Sequence, residues 1–204
     1  MIKRTSKSHI DKILSEKKNW KILDIGCGFN PNQYATTICD VLDLKEHYSS
    51  KKFVKLDNDN LPFADNEFDF VIASHVLEHV NDPTKFLNEV SRVAKQGYIE
   101  VPTKLEDNLV FENKKAHLWH LEFDDIDQQL IIKKKIQVFE PILTVSAINK
   151  LRKYFSDSLI IQLLWKDKID FKIISDNENK IEKISNLNLI KKFISKKIRS
   201  IYSK

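Results

Sequence analysis

Short apolar runs alternate with amphipathic stretches through the first hundred residues. Apolar positions at helical spacing predict helices over 8–18 and 83–94, and Asp82 and Pro83 suit the start of the second one. The intervening apolar runs predict strands over 21–25, 39–43, 53–56, 67–74 and 98–101. Strands that alternate with helices in this way predict an α/β fold with a doubly wound, mostly parallel sheet.

The alternation of apolar runs with amphipathic stretches becomes less regular after Pro102. Residues 103–137 are polar, and a helix is predicted over 146–155. Two further apolar runs, 159–164 and 169–174, are separated by a short polar turn. We expect them to form an antiparallel hairpin that closes the sheet.

The C-terminal segment has a distinct composition. Residues 188–203 predict a helix with an apolar stripe opposite Lys191, Lys192, Lys196, Lys197 and Arg199, and the segment has no acidic residue. We therefore divide the chain into a domain over 1–175 and a basic amphipathic tail over 176–204. We expect the tail helix to pack on the domain or on a second subunit, as in a homodimer, with peripheral membrane contact as the alternative.

Composition narrows the class of protein. A chain of 204 residues suits one domain with a substantial core, and two cysteines are too few for a disulfide scaffold. The polar N-terminus does not resemble a signal peptide, so we expect a cytoplasmic protein. The net charge of +5 is spread along the chain, and no nucleic-acid partner is expected.

A glycine turn after the first long apolar run carries the candidate chemistry. The chain has only three glycines, and two of them, Gly26 and Gly28, follow Asp24 closely. Asp43 lies 19 residues beyond Asp24, a spacing typical of a carboxylate that binds ribose hydroxyls. Pro31 takes the place of the third glycine of the dinucleotide fingerprint, which favours a nucleoside ligand without a pyrophosphate.

Three segments in order resemble class I S-adenosylmethionine-dependent methyltransferases of the small type with a Leu-Pro-Phe motif. They are Leu-Asp-Ile-Gly-Cys-Gly at 23–28, the stretch 57–69 containing Leu-Pro-Phe, and Ser-His-Val-Leu-Glu-His-Val at 74–80. The resemblance implies a Rossmann-like seven-stranded sheet whose last strand is antiparallel, with S-adenosylmethionine as the cofactor. Asn30 departs from the pattern, since many members have a third glycine there.

The resemblance also implies roles for individual residues. The methionine end of the cofactor is expected against the glycine turn, the ribose at Asp43 and the adenine against Leu44. Asp57 and the backbone of Asn58 are expected at the adenine edge, and Ser74 and His75 beneath the sulfonium. The turn residues concerned are Asp24, Gly26, Cys27 and Gly28.

Histidines supply the candidate general bases. His117 and His120 flank Leu-Trp after the fifth predicted strand, where they suit a base and an aromatic wall over the acceptor or, alternatively, a tryptophan-anchored loop. His75 is the next candidate base. Glu78 and His79 are expected to shape the site or to act on the substrate. No third ligand is fixed near His117 and His120, so no metal site is predicted.

The implied reaction is methyl transfer to a small polar or anionic acceptor. We expect a hydroxyl of a sugar, nucleotide-sugar or phosphorylated metabolite in surface-polysaccharide biosynthesis. The alternatives are N-methylation of a small amine, methylation of a quinone or lipid intermediate, and a non-catalytic cofactor-binding subunit.

Overall fold

The computed structural model describes residues 1–57, 60–175 and 184–202. These residues form two sheets. The strands are β1 (Ile2–Arg4), β2 (Ile22–Ile25), β3 (Thr37–Asp40), β4 (Lys52–Lys55), β5 (Phe70–Ser74), β6 (Gln96–Pro102), β7 (Trp119–Asp124), β8 (Gln129–Lys134), β9 (Ile160–Lys166) and β10 (Phe171–Ile174).

The larger sheet has seven strands in the order β1-β9-β6-β5-β2-β3-β4. Strands β6, β5, β2, β3 and β4 are parallel, and β9 runs antiparallel to both of its neighbours. Strands β2 and β3 are buried at every position, as expected for parallel strands covered on both faces. The predicted fold is confirmed, because the last strand of this sheet in chain order is the antiparallel one.

Helices cover the sheet and the loops at its carboxyl edge. They are α1 (Lys7–Glu16), α2 (Pro83–Val93), α3 (Lys104–Leu109), α4 (Asn113–Ala116), α5 (Val145–Leu159) and α6 (Asn186–Tyr202), with a 3₁₀ turn at Leu77–His79. Asp82 caps α2 as predicted, since its carboxylate accepts the Lys85 N–H at 3.0 Å. Among the helices of the described residues, none is long and apolar enough to cross a membrane.

The predicted hairpin over 159–174 is wrong. Strand β9 joins the large sheet, whereas β10 pairs in parallel with β8 in a second sheet of order β10-β8-β7. Strands β7 and β8 form an antiparallel hairpin inside the segment that read as polar. Leu121, Phe123, Leu130 and Ile132 bury one face of this hairpin in the main core, while charged residues hold the other face.

Two further boundaries differ from the sequence prediction. The N-terminal residues add β1, in which Ile2 is fully buried and pairs with Trp165. The strand predicted over 39–43 ends at Asp40, and the following Val41 and Leu42 are exposed. The acid at the end of this strand is therefore Asp40.

Helix α6 meets the rest of the described chain at Asn186. All of its side chains that the structure describes are exposed except that of Asn186, which is partly buried and donates to the Glu140 carbonyl at 3.1 Å. Its exposed apolar side chains are Leu187, Ile190, Phe193, Ile194 and Ile198. Packing of this helix on its own domain, on a second subunit or on a membrane surface stays a prediction.

Candidate active site

The glycine turn is tied to the end of β3. The backbone N–H of Gly26 donates to the Cys39 carbonyl at 2.8 Å, and that of Cys27 donates to the same oxygen at 3.2 Å. Gly26 has a φ of +66°, and a Cβ on it would lie 2.5 Å from the Val76 Cγ2 atom. Both the conformation and the close approach therefore require glycine at position 26.

Asp40, rather than Asp43, forms part of the wall beside this turn. The Asp40 carboxylate is buried and accepts the backbone N–H groups of Gly28 and Leu42, each at 2.9 Å. Asp43 is exposed and accepts the Lys45 N–H at 3.3 Å. A sequence search for an acid 20 residues beyond the turn passed over Asp40, because the strand boundary was placed three residues too late.

Asp24 lies under the turn with its carboxylate nearly covered. It accepts the backbone N–H of Asn32 at 2.7 Å. Burial raises the pKa of Asp24 to about 6, against the opposing effects of that hydrogen bond and of the positive charges of Lys51 and Lys7. This carboxyl therefore titrates close to neutral pH and suits a cationic ligand group.

The turn separates two lobes of a cleft at the carboxyl ends of the parallel strands. The polar lobe is lined by residues that include Lys7, Asp11, Asp24, Cys27, Asn30 and Ser74. The other lobe contains more apolar side chains and is lined by residues that include Asp40, Val41, Leu42, Leu56, Leu61 and His75. Gly26 lines both lobes, so one extended ligand with a polar end and an apolar end can cross the turn.

The remaining predicted cofactor residues lie outside these walls or beyond the described chain. Leu44 is buried but lines neither lobe. Asp57 is exposed and lies 3.5 Å from the Lys55 ammonium. Asn58 lies outside the described residues.

A network of buried polar groups begins at the end of β5. The Ser74 hydroxyl donates to Glu100 Oε1 at 2.9 Å, and the Tyr98 hydroxyl donates to Glu100 Oε2 at 2.5 Å. Burial raises the pKa of Glu100, but the hydrogen bonds from Tyr98, Gln162 and Ser74 and the charge of His75 outweigh it, so the pKa is lowered. Glu100 is therefore a charged carboxylate beside the cleft.

His75 connects the network around Glu100 to Glu78. It has a φ of +56°, uncommon for a residue other than glycine, and its backbone N–H donates to the Glu100 carbonyl at 2.8 Å. Its Nδ1 atom lies 3.2 Å from Glu78 Oε1. Burial lowers the pKa of His75, but the hydrogen bond and charge of Glu78 and the charge of Glu100 outweigh it, so the pKa is raised.

A second cavity of roughly 330 Å³ lies beside the cofactor cleft. His75 and His79 line both spaces. Eight of the twelve residues that line the second cavity have polar side chains, including Glu106, Glu112, Asn113, His117, Asn149 and Arg152. A molecule in this cavity would meet a ligand of the cleft at the two shared histidines.

The two histidines that the sequence grouped together share one carboxylate, that of Asp107, but His117 lines the second cavity and His120 does not. His120 is buried, and its Nδ1 lies 3.0 Å from Asp107 Oδ2 while its Nε2 lies 2.9 Å from the Ile136 carbonyl. Because both ring nitrogens are engaged, the structure does not favour His120 as a general base, and that role stays a prediction. His117 lines the second cavity, and its Nδ1 lies 2.5 Å from Asp107 Oδ1. Trp119 is an anchor, since its indole N–H donates to the Val80 carbonyl at 2.8 Å.

The sequence predicted that Glu78 and His79 shape the site, but it did not predict that they lie close to His117. Glu78 is fully buried, and His79 Nδ1 lies 3.0 Å from the Ala116 carbonyl. Burial lowers the pKa of His79, and the charge of His117 acts in the same direction against that of Glu78. One ligand-type atom from each of Glu78, His79 and His117 lies within 4.8 Å of the others.

Comparisons with known proteins agree with this geometry. Residues 23–99 match a family model described as a methyltransferase domain. An uncharacterized protein of Methanocaldococcus jannaschii is 37% identical over 109 residues, which cover 50% of this chain and 48% of the relative. A demethylmenaquinone methyltransferase of Renibacterium salmoninarum is 37% identical over 89 residues, covering 38% of each protein.

One solved structure that the chain matches is that of a SAM-dependent methyltransferase from Aquifex aeolicus. It is 16% identical with a TM-score of 0.43, and the alignment covers 78% of this chain and 87% of that one. The matched segments span about half or less of the length of the curated relatives. The family match covers β2 through the middle of β6, which contains the glycine turn, Asp40 and Ser74. Residues 23–99 thus match a methyltransferase domain.

Proposed function

We propose that this protein transfers a methyl group from S-adenosylmethionine to a hydroxyl of a small polar acceptor bound in the second cavity. One observation carries the proposal: His75 and His79 line both the cofactor cleft and the second cavity. A methyl donor and its acceptor must meet end to end, and the shared wall is where the two spaces meet.

The two lobes of the cleft fit the cofactor in one orientation. The methionine end, with its ammonium group, fits the polar lobe at Asp24, and the adenine fits the lobe with Leu56 and Leu61. The ribose then lies near the turn, with Asp40 as the proposed carboxylate for its hydroxyls. Asp43 stays a prediction for that role, although its side chain is exposed.

The second cavity favours a hydroxylated acceptor over an apolar one. Arg152 forms a bidentate ion pair with the buried Glu106, with Nε 2.8 Å from Oε2, and Asn113 and Asn149 add amide groups to the lining. Such groups can form further hydrogen bonds with the hydroxyls of an acceptor. A sugar, nucleotide-sugar or phosphorylated metabolite fits this lining, and surface-polysaccharide biosynthesis is the role we propose for it.

The reaction itself demands mainly alignment. The acceptor hydroxyl gives up its proton to a neighbouring base or to water, and its oxygen forms a bond to the methyl carbon while the bond from that carbon to sulfur breaks. The electron pair of the broken bond stays on sulfur to give S-adenosylhomocysteine. Because the sulfonium is already activated, holding oxygen, carbon and sulfur in line supplies much of the rate enhancement.

Two measurements test the proposal. Calorimetry with S-adenosylhomocysteine tests the cleft, and transfer of labelled methyl to nucleotide-sugars and sugar phosphates, with a demethylated quinone as the apolar comparator, tests the cavity. We expect cofactor binding and label on a sugar substrate. Failure to bind the cofactor would contradict the whole proposal, whereas label found on the quinone alone would contradict the polar acceptor.

A further inference from the structure

The chain brings three metal-ligand side chains together at the boundary of the two spaces. Glu78 and His79 lie in the turn after β5, and His117 follows α4, 38 residues beyond His79. One ligand-type atom from each lies within 4.8 Å of the others. We propose that these residues bind a divalent transition-metal ion of the zinc class, with a coordination position open toward the second cavity.

The hydrogen bonds leave one suitable atom free on each of the three side chains. His79 Nδ1 is engaged by the Ala116 carbonyl, and His117 Nδ1 is engaged by Asp107. Glu78 Oε1 is engaged by His75 Nδ1. Two Nε2 atoms and Glu78 Oε2 remain, and two imidazoles with one carboxylate are a ligand set typical of catalytic zinc sites.

The unpaired carboxylate oxygen is an independent observation. Glu78 is fully buried, and its Oε2 atom has no hydrogen-bond partner among the described residues. A buried carboxylate oxygen without a partner is costly, and a bound cation would satisfy it. Together with the two nearby imidazoles, this oxygen points to a ligand at this place.

The partners of the ligands form an outer shell of the kind that metal sites use. Histidine ligands commonly donate their second ring nitrogen to a carboxylate or a carbonyl, which fixes the tautomer and the direction of the free nitrogen. Asp107 does this for His117 at 2.5 Å, and the Ala116 carbonyl does it for His79 at 3.0 Å. The two rings are close to perpendicular, at 87°, with centroids 4.5 Å apart.

The open position gives the ion a role that rests on the proposed function. His79 and His117 both line the second cavity, so an acceptor hydroxyl there can reach the ion. A divalent ion makes a bound hydroxyl more acidic, so its proton leaves to water. The resulting oxygen then forms its bond to the methyl carbon, and sulfur keeps the electron pair of the broken bond.

The test measures metal binding without any methyl donor. Metal-stripped full-length protein is titrated with Zn²⁺ by calorimetry and with Co²⁺ by visible absorption. The variants are His79→Ala, at an exposed side chain, and Glu78→Gln, which keeps the shape of the residue. His9→Ala removes an exposed histidine of α1 and is the matched control. Circular dichroism confirms that each variant is folded.

We expect one equivalent of metal on the wild type and on His9→Ala, with a Co²⁺ spectrum that indicates four or five ligands. His79→Ala and Glu78→Gln should each weaken binding by more than tenfold, and Asp107→Asn by about 10-fold to 100-fold through His117. A wild-type protein that binds neither ion, or a folded His79→Ala that binds as tightly as wild type, would overturn the proposal. Binding of S-adenosylhomocysteine without binding of metal would overturn the proposed metal site but not the proposed methyl transfer. Metal binding without methyl transfer would overturn the role of the ion in activating the acceptor hydroxyl.

Discussion

The carboxylate of Asp40 accepts the backbone N–H of Gly28 at 2.9 Å, which ties the end of β3 to the glycine turn. The acid that the spacing rule selected, Asp43, lies three residues further along and faces solvent. The two carboxylates thus differ in burial while sharing a loop. This difference makes them a matched pair for testing which one serves the cofactor.

We expect Asp40→Asn to weaken S-adenosylhomocysteine binding by at least tenfold, because a charged acceptor bonded to ligand hydroxyls contributes about 1.5–3 kcal/mol. Asp43→Asn should bind within about twofold of wild type, given that an exposed surface group contributes little. Calorimetry on both folded variants measures the difference. The reverse ranking would restore the assignment from sequence spacing.

Gly26 should tolerate no side chain. Gly26→Ala places a methyl group 2.5 Å from Val76 Cγ2 at a φ of +66°, so we expect a loss of stability beyond the roughly 1–2 kcal/mol that left-handed geometry costs alone. Urea unfolding measures it. Gly28→Ala is the control, since its φ is +47° and a Cβ there would contact nothing within 4 Å. Val76→Ala should recover part of the loss at Gly26, and no recovery would contradict the steric argument.

Cofactor binding should depend on pH through Asp24. Burial raises the pKa of this carboxyl to about 6, so it is mostly protonated at pH 5 and mostly charged at pH 7. The ammonium of the cofactor requires the charged form, and affinity should therefore rise roughly tenfold between these values. Titrations of wild type and Asp24→Asn across the range measure it. An equal pH dependence in the variant would place the titrating group elsewhere.

Deleting residues 184–204 should leave the thermal midpoint of the domain unchanged within about 2 °C, because exposed side chains contribute little to folding. The exposed apolar stripe beside lysines predicts instead that the deletion abolishes pelleting with anionic phospholipid vesicles. Light scattering serves as the control for mass. A clear drop in the midpoint would show that α6 packs on the domain, and a halved mass would favour a dimer contact.

Local sequence determined most of the large sheet. Continuous apolar runs such as Phe70–Ser74 have few alternatives to a buried strand, and the Asp82–Pro83 pair marks the start of α2 in any context. The glycine turn could also be predicted from the sequence. Two of the chain's three glycines, Gly26 and Gly28, lie in it, and both have a positive φ. These features depend on neighbours within a few residues, which a sequence displays directly.

Only the tertiary structure decided the pairing of distant segments. Strands β9 and β10 enter different sheets, because β9 pairs with β1 and β6 whereas β10 pairs with the edge of β8. Short strands such as β7 and β8, which alternate buried and less buried residues, carry a weak signal in the sequence. The acceptor side of the site was decided in the same way. Asp107 binds both His117 and His120, and the fold places His117 close to Glu78 and His79. The sequence shows which residues could form such a cluster, but the distances among them depend on how many other residues pack.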